Sequence, residues 1–156
     1  MDRPLILGID PGTRVLGYGI VQPEPLRCVE CGILTAHNRS QTHRLAELAA
    51  DIRGLVAEFP AIGLMALEDT FIHPRHRKDT AIALGRIQGV CLAIASACRI
   101  EPVIYAPTTI KRTVTGKGNA TKAEVARVVM GLFGFTTQPK PDATDALAVA
   151  LTACAA

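Results

Sequence analysis

The sequence predicts an α/β protein, a mixed five-stranded sheet flanked by helices in a single domain spanning residues 1–156. Three observations predict it. Up to Ala36 the chain holds three strand-like runs whose connections are too short for crossover helices. Two further apolar runs of strand length lie between segments with helical spacing. The chain then closes on two helical patterns with clear start signals.

The elements follow in order. Leu5 to Asp10 reads as a strand stopped by the turn sequence Asp10-Pro11-Gly12. Val15 to Gln22 and Arg27 to Ala36 continue it as an antiparallel meander. From Thr42 to Phe59, Leu45, Leu48, Ala49, Ile52, Leu55, Val56 and Phe59 recur at helical spacing, and Pro60 and Gly63 end that helix. Leu64 to Glu68 is a continuous apolar run, as expected of a strand buried on both faces. Asp79 to Cys98 reads as a long apolar helix, and Val103 to Ala106 as the fifth strand. Thr121-Lys122-Ala123-Glu124 has the capping-box pattern and opens a helix carrying Val125, Val128, Val129, Leu132 and Phe133. Pro141 begins the last helix in the first-turn position that favours proline.

Composition narrows the class. At 156 residues, with 49% hydrophobic and 20% charged residues, the chain is long and apolar enough to bury a core, which excludes general disorder. A net charge of +3 suits a nucleic-acid partner without demonstrating one. Asp2 and Arg3 precede the first strand, so no signal peptide is expected. The longest apolar run, Val90 to Cys98, is about half a membrane span, so no membrane partner is expected either. Of five cysteines, Cys91, Cys98 and Cys154 lie on apolar helical faces. Cys28 and Cys31 form a C-x-x-C in a strand, but no second pair completes a zinc set. A reduced, cytoplasmic protein is the expectation.

Asp10, Glu68, Asp142 and Asp145 stand out because they end buried strands or open an apolar helix. A buried carboxylate costs several kcal/mol unless it is paired, protonated or bound to a cation. Singly, each acid has a plain account: Asp10 as a turn residue, Asp142 as an N-cap, and Asp142 and Asp145 as complements of a helix dipole. Glu68 resists that account, since glutamate is a poor strand residue and alternation sets it on the face of Leu64 and Ala66. If the first and fourth strands are neighbours, Asp10 and Glu68 emerge together at their carboxyl-terminal ends. The i, i+3 spacing puts Asp142 and Asp145 on one side of the last helix. A helix start docked over those strand ends would gather all four. The economical common explanation is a hard divalent cation, Mg²⁺ foremost, held by oxygen ligands. Two cations about 3.5–4 Å apart would bridge a scissile phosphate, one activating water and one stabilising the leaving 3′ oxygen.

The run Gly8-Ile9-Asp10-Pro11-Gly12-Thr13-Arg14-Val15-Leu16-Gly17-Tyr18-Gly19 resembles the first motif of the bacterial Holliday-junction resolvases of the RuvC family. Leu67-Glu68-Asp69-Thr70-Phe71 resembles the second motif, Leu84-Gly85-Arg86-Ile87-Gln88-Gly89-Val90 the interface helix, and Asp142-Ala143-Thr144-Asp145-Ala146-Leu147-Ala148 the closing acidic motif. The resemblance runs in order from about Leu5 to Cys154. It implies a ribonuclease-H-like fold, a homodimer, and Mg²⁺-dependent paired nicking of four-way DNA junctions in recombination and repair, with two ions per site and Mn²⁺ as a substitute. By position, Asp10, Glu68, Asp142 and Asp145 would be metal ligands and catalytic acids. A partnership with the RuvA–RuvB branch-migration complex is implied on the same basis alone.

Two basic segments are candidates for holding DNA. Between Lys111 and Arg127, five basic residues (Lys111, Arg112, Lys117, Lys122 and Arg127) face the single acid Glu124. Gly116-Lys117-Gly118-Asn119 reads as a flexible loop leading to a helix N-terminus that suits phosphate. The resemblance singles out Lys111 and Lys122 ahead of Lys117. The second segment is His73-Pro74-Arg75-His76-Arg77-Lys78, where Arg75, Arg77 and Lys78 favour duplex backbone. That loop is more basic and differently spaced than the family pattern. Phe71 reads either as core or as a ring that stacks on an unpaired base, and the resemblance favours stacking. Arg14, after the first motif, is a further candidate for touching phosphate. Gly85 and Gly89 lie one turn apart in a helix, where each costs about 1 kcal/mol relative to alanine. Close packing within the chain or across a two-fold axis would explain both; the resemblance assigns them to the dimer interface.

Other readings remain at this point. The Asp-Pro-Gly-Thr turn also resembles the phosphate loop of actin-like and Hsp70-like ATPases, but 156 residues cannot supply their second lobe. A ribonuclease acting on RNA–DNA hybrids would share the fold. A non-catalytic module binding branched DNA would need structural carboxylates.

Overall fold

A computed structural model of the chain describes residues 3–69, 75 and 77–156. The elements are β1 (Leu5–Asp10), β2 (Val15–Pro23), β3 (Leu26–Thr35), α1 (Gln41–Glu58), β4 (Ile62–Glu68), α2 (Lys78–Ala97), β5 (Glu101–Tyr105), α3 (Pro107–Thr115), α4 (Lys122–Phe133) and α5 (Pro141–Cys154). The strands form one sheet in the order β3-β2-β1-β4-β5. β1 pairs antiparallel with β2 and β2 with β3, whereas β1–β4 and β4–β5 are parallel. The mixed sheet read from the sequence is therefore observed, and short hairpins and long crossovers divide it as expected.

Strand alternation separates two cores. Leu7, Ile9, Leu16 and Ile20 point to one face and pack with Leu48 and Ile52 of α1 and Ile87 and Cys91 of α2. Ile6, Val21 and Ala66 point to the other face and pack under α5 with Ile110 of α3 and Val125 and Val129 of α4. α5 is the central helix, with Ala143, Thr144 and every residue from Ala146 to Ala153 buried. Small side chains make that burial possible, because a helix backbone lined with alanine can approach a sheet closely.

Local signals account for the helix starts. Ser40 caps α1, its hydroxyl accepting from the His43 amide, and Thr121 caps α4, accepting from the Glu124 amide at 3.1 Å. α5 starts with Pro141 behind an N-cap at Lys140. Asp142 is thus a first-turn residue and not the cap, which removes one of its plain readings.

Three departures from the sequence reading have physical causes. α3 was not anticipated: four β-branched threonines in nine residues depress its helix propensity, and only Ile110 and Val114 give it an apolar side. β5 begins before Pro102, not after it; proline is tolerated there because β5 is an edge strand. The segment Gly116 to Asn119, expected to be flexible, is a hydrogen-bonded turn. Gly116 (φ 83°) ends α3 in the left-handed conformation, the Lys117 amide donates to Thr115 Oγ1 at 3.1 Å, and the Ala120 amide donates to the Lys117 carbonyl at 3.2 Å.

α2 is 20 residues long with a mean hydropathy of 1.5 over its most apolar window, enough by length and composition to cross a bilayer. The longest unbroken apolar run understated this. Its inner face packs into the first core, and its outer face carries Gly85, Gly89 and Ile82, the last 54% exposed. Among the described residues, a side chain added at Gly85 or Gly89 would meet nothing within 4 Å, so packing against them does not explain these glycines.

Candidate active site

β1 ends at Asp10 because Pro11 and Gly12 cannot continue the ladder. Parallel pairing sets Ile9 opposite Leu67, so the next residues, Asp10 and Glu68, emerge side by side at the same sheet end. Alternation turns both toward α5, together with Gly8 and Ala66.

The start of α5 reaches them over a floor of glycines. A Cβ on Gly8 would strike the Ala146 carbonyl oxygen, and one on Gly17 the Asp142 carbonyl oxygen. A Cβ on Gly19 would lie 2.6 Å from a Leu147 methyl. Gly17 is the ladder partner of Asp10, so the Asp142 backbone rests beside the strand that delivers Asp10. Carboxylate oxygens of Asp10, Asp142 and Asp145 consequently lie within 4.8 Å of one another. Glu68 joins Asp10 and Asp145 as a wall of one cleft, a cavity of about 130 Å³ lined also by Pro107, Ile110, Lys111, Lys122, Val125 and Ala148.

The electrostatics fit a cation site. Burial pushes the Asp10 carboxyl up to about 8 from 3.8, and the charges of Glu68, Asp145 and Asp142 push the same way against Lys122. Burial and then Asp145 raise Glu68, with Lys122 and Lys111 opposing. Lys122 Nζ lies 3.3 Å from Asp145 Oδ2. Clustered anions with oxygen donors alone are the ligand chemistry of hard divalent cations. Asp10, Asp142 and Asp145 have the spacing to hold such an ion, with Glu68 facing the same space.

The other site expectations separate. Lys111, from α3, and Lys122, from α4, line the cleft. Lys117 does not; it is exposed and pairs with Glu124 at 3.5 Å. Arg14 is exposed in the β1–β2 turn, Arg75 and Arg77 are exposed ahead of α2, and Lys78 is exposed at its first position. Phe71, His73, Pro74 and His76 lie outside the described residues. The sequence reading missed Gly8, Gly17 and Gly19 as the seat of α5. Their signal was present, since glycines at strand spacing mark a close approach of another backbone. It also missed Pro107 and Ile110, which stand on the helix it did not anticipate.

A ribonuclease-H-like sheet with acids from two parallel strand ends and one crossing helix defines a phosphodiester-cleaving nuclease whose ligands suit divalent cations. The family model for "Crossover junction endodeoxyribonuclease RuvC" matches residues 6–153, and the chain belongs to that family. The RuvC of Chromohalobacter salexigens is 38% identical over 156 residues, covering 95% of this chain and 79% of the relative. That of Coxiella burnetii is 36% identical over 155 residues, covering 97% and 88%. Among solved structures, Thermus thermophilus RuvC in complex with a Holliday junction substrate superposes with a TM-score of 0.85 at 28% identity, covering 96% of this chain and 92% of that one. The yeast mitochondrial Holliday junction resolvase Ydc2 shares the fold, with a TM-score of 0.72 at 13% identity over 98% and 78% of the two chains. The chain is accordingly an endodeoxyribonuclease that resolves DNA crossover junctions.

Proposed function

We propose that this enzyme resolves four-way junctions by Mg²⁺-dependent hydrolysis at Asp10, Glu68, Asp142 and Asp145, leaving 5′-phosphate and 3′-hydroxyl ends. The observation that carries this reading is the meeting of Asp10, Asp142 and Asp145 carboxylates within 4.8 Å, with Asp10 and Asp145 sharing one cleft with Glu68 and two lysines. When bound, the cations supply charge neutralisation at the scissile phosphate and at the leaving 3′ oxygen. Asp10, Asp142 and Asp145 would hold them, and Glu68 faces the same space. Lys111 and Lys122 orient the phosphate from beside the acids, in a cleft that Pro107, Ile110, Val125 and Ala148 also line. Arg14, Arg75, Arg77, Lys78 and Lys117 grip flanking backbone, and Phe71 stacks on an unpaired base at the crossover.

The active form is a homodimer joined through the outer face of α2, where Gly85 and Gly89 leave room for a second helix beside exposed Ile82. Two equivalent sites would make the paired, symmetric cuts. The whole of 1–156 acts as one nuclease domain in the cytoplasm, working with the RuvA–RuvB branch-migration complex; Mn²⁺ substitutes for Mg²⁺. The test is a gel assay with synthetic four-way, duplex and RNA–DNA hybrid substrates, with and without Mg²⁺. Asp10→Asn and Glu68→Gln should bind the junction and not cut it. Cutting by either variant, or preference for the hybrid, refutes the assignment.

A further inference from the structure

Lys122 is the first residue of α4, fixed in place by the Thr121 cap and by Val125 against the cleft. Its side chain is 86% exposed, yet its ammonium turns back onto Asp145 Oδ2 at 3.3 Å instead of extending into water. It lies close enough to Asp10 and Glu68 for its charge to be felt by both. In the protein without metal, this single positive charge does weakly what a divalent cation does strongly. The two cannot share Asp145 without like-charge repulsion.

We propose that Lys122 is the resident counter-ion of the metal-free site: its ammonium holds Asp145 until a divalent cation displaces it, so metal entry and release of Lys122 toward the DNA phosphate form one exchange. The inference rests on the metal-binding reading of the acids and adds a competition that reading does not require. No bond is made or broken and no proton moves. The ammonium leaves one anion, Asp145, and becomes available to another. Lys122 therefore acts as a positioning residue with two opposed effects, weakening metal affinity and promoting phosphate capture.

The test counts free Mn²⁺ by electron paramagnetic resonance while the ion is titrated into the full chain without DNA. Lys122→Met should bind Mn²⁺ about fivefold more tightly than wild type, the scale of a partly exposed ion pair. Lys122→Arg, which keeps the charge, should match wild type, and the gap between Lys122→Met and wild type should narrow as salt is raised. Asp145→Asn should weaken binding. Equal or weaker Mn²⁺ affinity in Lys122→Met overturns the exchange and leaves the metal site standing. No Mn²⁺ binding by any form overturns the metal reading and this inference together.

Discussion

Replacing Asp10 with asparagine should make the metal-free protein more stable while abolishing its activity. Asp10 is held at about 8, against 3.8 for a free side chain, so the fold binds a proton more tightly than the unfolded chain does. Between those values the native state carries more protons, and stability falls as pH rises through that window. At roughly 1.4 kcal/mol per tenfold in proton affinity, full ionisation costs at most about 5–6 kcal/mol. Relaxation and counter-ions at the cleft mouth reduce that to about 2–4 kcal/mol. Asparagine keeps the shape and removes the charge. In chelator at pH 8.5, Asp10→Asn should melt about 5–10 °C above wild type, with the difference vanishing below about pH 4. Adding Mg²⁺ at ten times its Kd should restore about 1.4 kcal/mol to wild type and little to the variant. Calorimetry across pH, with and without Mg²⁺, reads all of this. A variant less stable than wild type in chelator, or an equal Mg²⁺ gain in both, would refute the reasoning.

Three further outcomes can be checked. Gly17→Ala forces a methyl into the Asp142 backbone and should cost at least about 2 kcal/mol, the scale of overpacking, with cleavage falling further than the loss of folded protein explains in a circular-dichroism melt beside a cleavage assay. Lys111→Ala should slow junction cutting by about tenfold or more, consistent with loss of an oriented charge at the phosphate; rates equal to wild type across a salt series would remove Lys111 from the site. Gly89→Ala should stabilise the monomer by up to about 1 kcal/mol through helix propensity while weakening self-association in sedimentation. Unchanged association would remove the proposed interface from α2.

Strong periodicity makes most of the fold readable in the sequence. β1 to β4, α1, α2, α4 and α5 announce themselves by alternation, helical spacing, prolines and caps. α3 does not, since its threonines argue against a helix that packing against α4 and α5 imposes. The candidate acids could be picked out individually, as carboxylates in apolar company. Their convergence was readable only as a condition, because it depends on β1 and β4 pairing in parallel and on α5 lying flat over Gly8, Gly17 and Gly19. Long-range pairing of that kind leaves no local trace. The plain reading of Asp142 as a cap failed by two residues, since Pro141 occupies the first helical position and moves the cap to Lys140.

The acids come from near residues 10, 68 and 142, and the last pair rides on the helix that also fills the centre of the second core. A nascent polypeptide that has exposed only its sheet therefore lacks the proposed cutting centre, and so does a product of proteolysis lacking α5. On that assignment, filling of the second core and assembly of the acid cluster are one event, because α5 carries both.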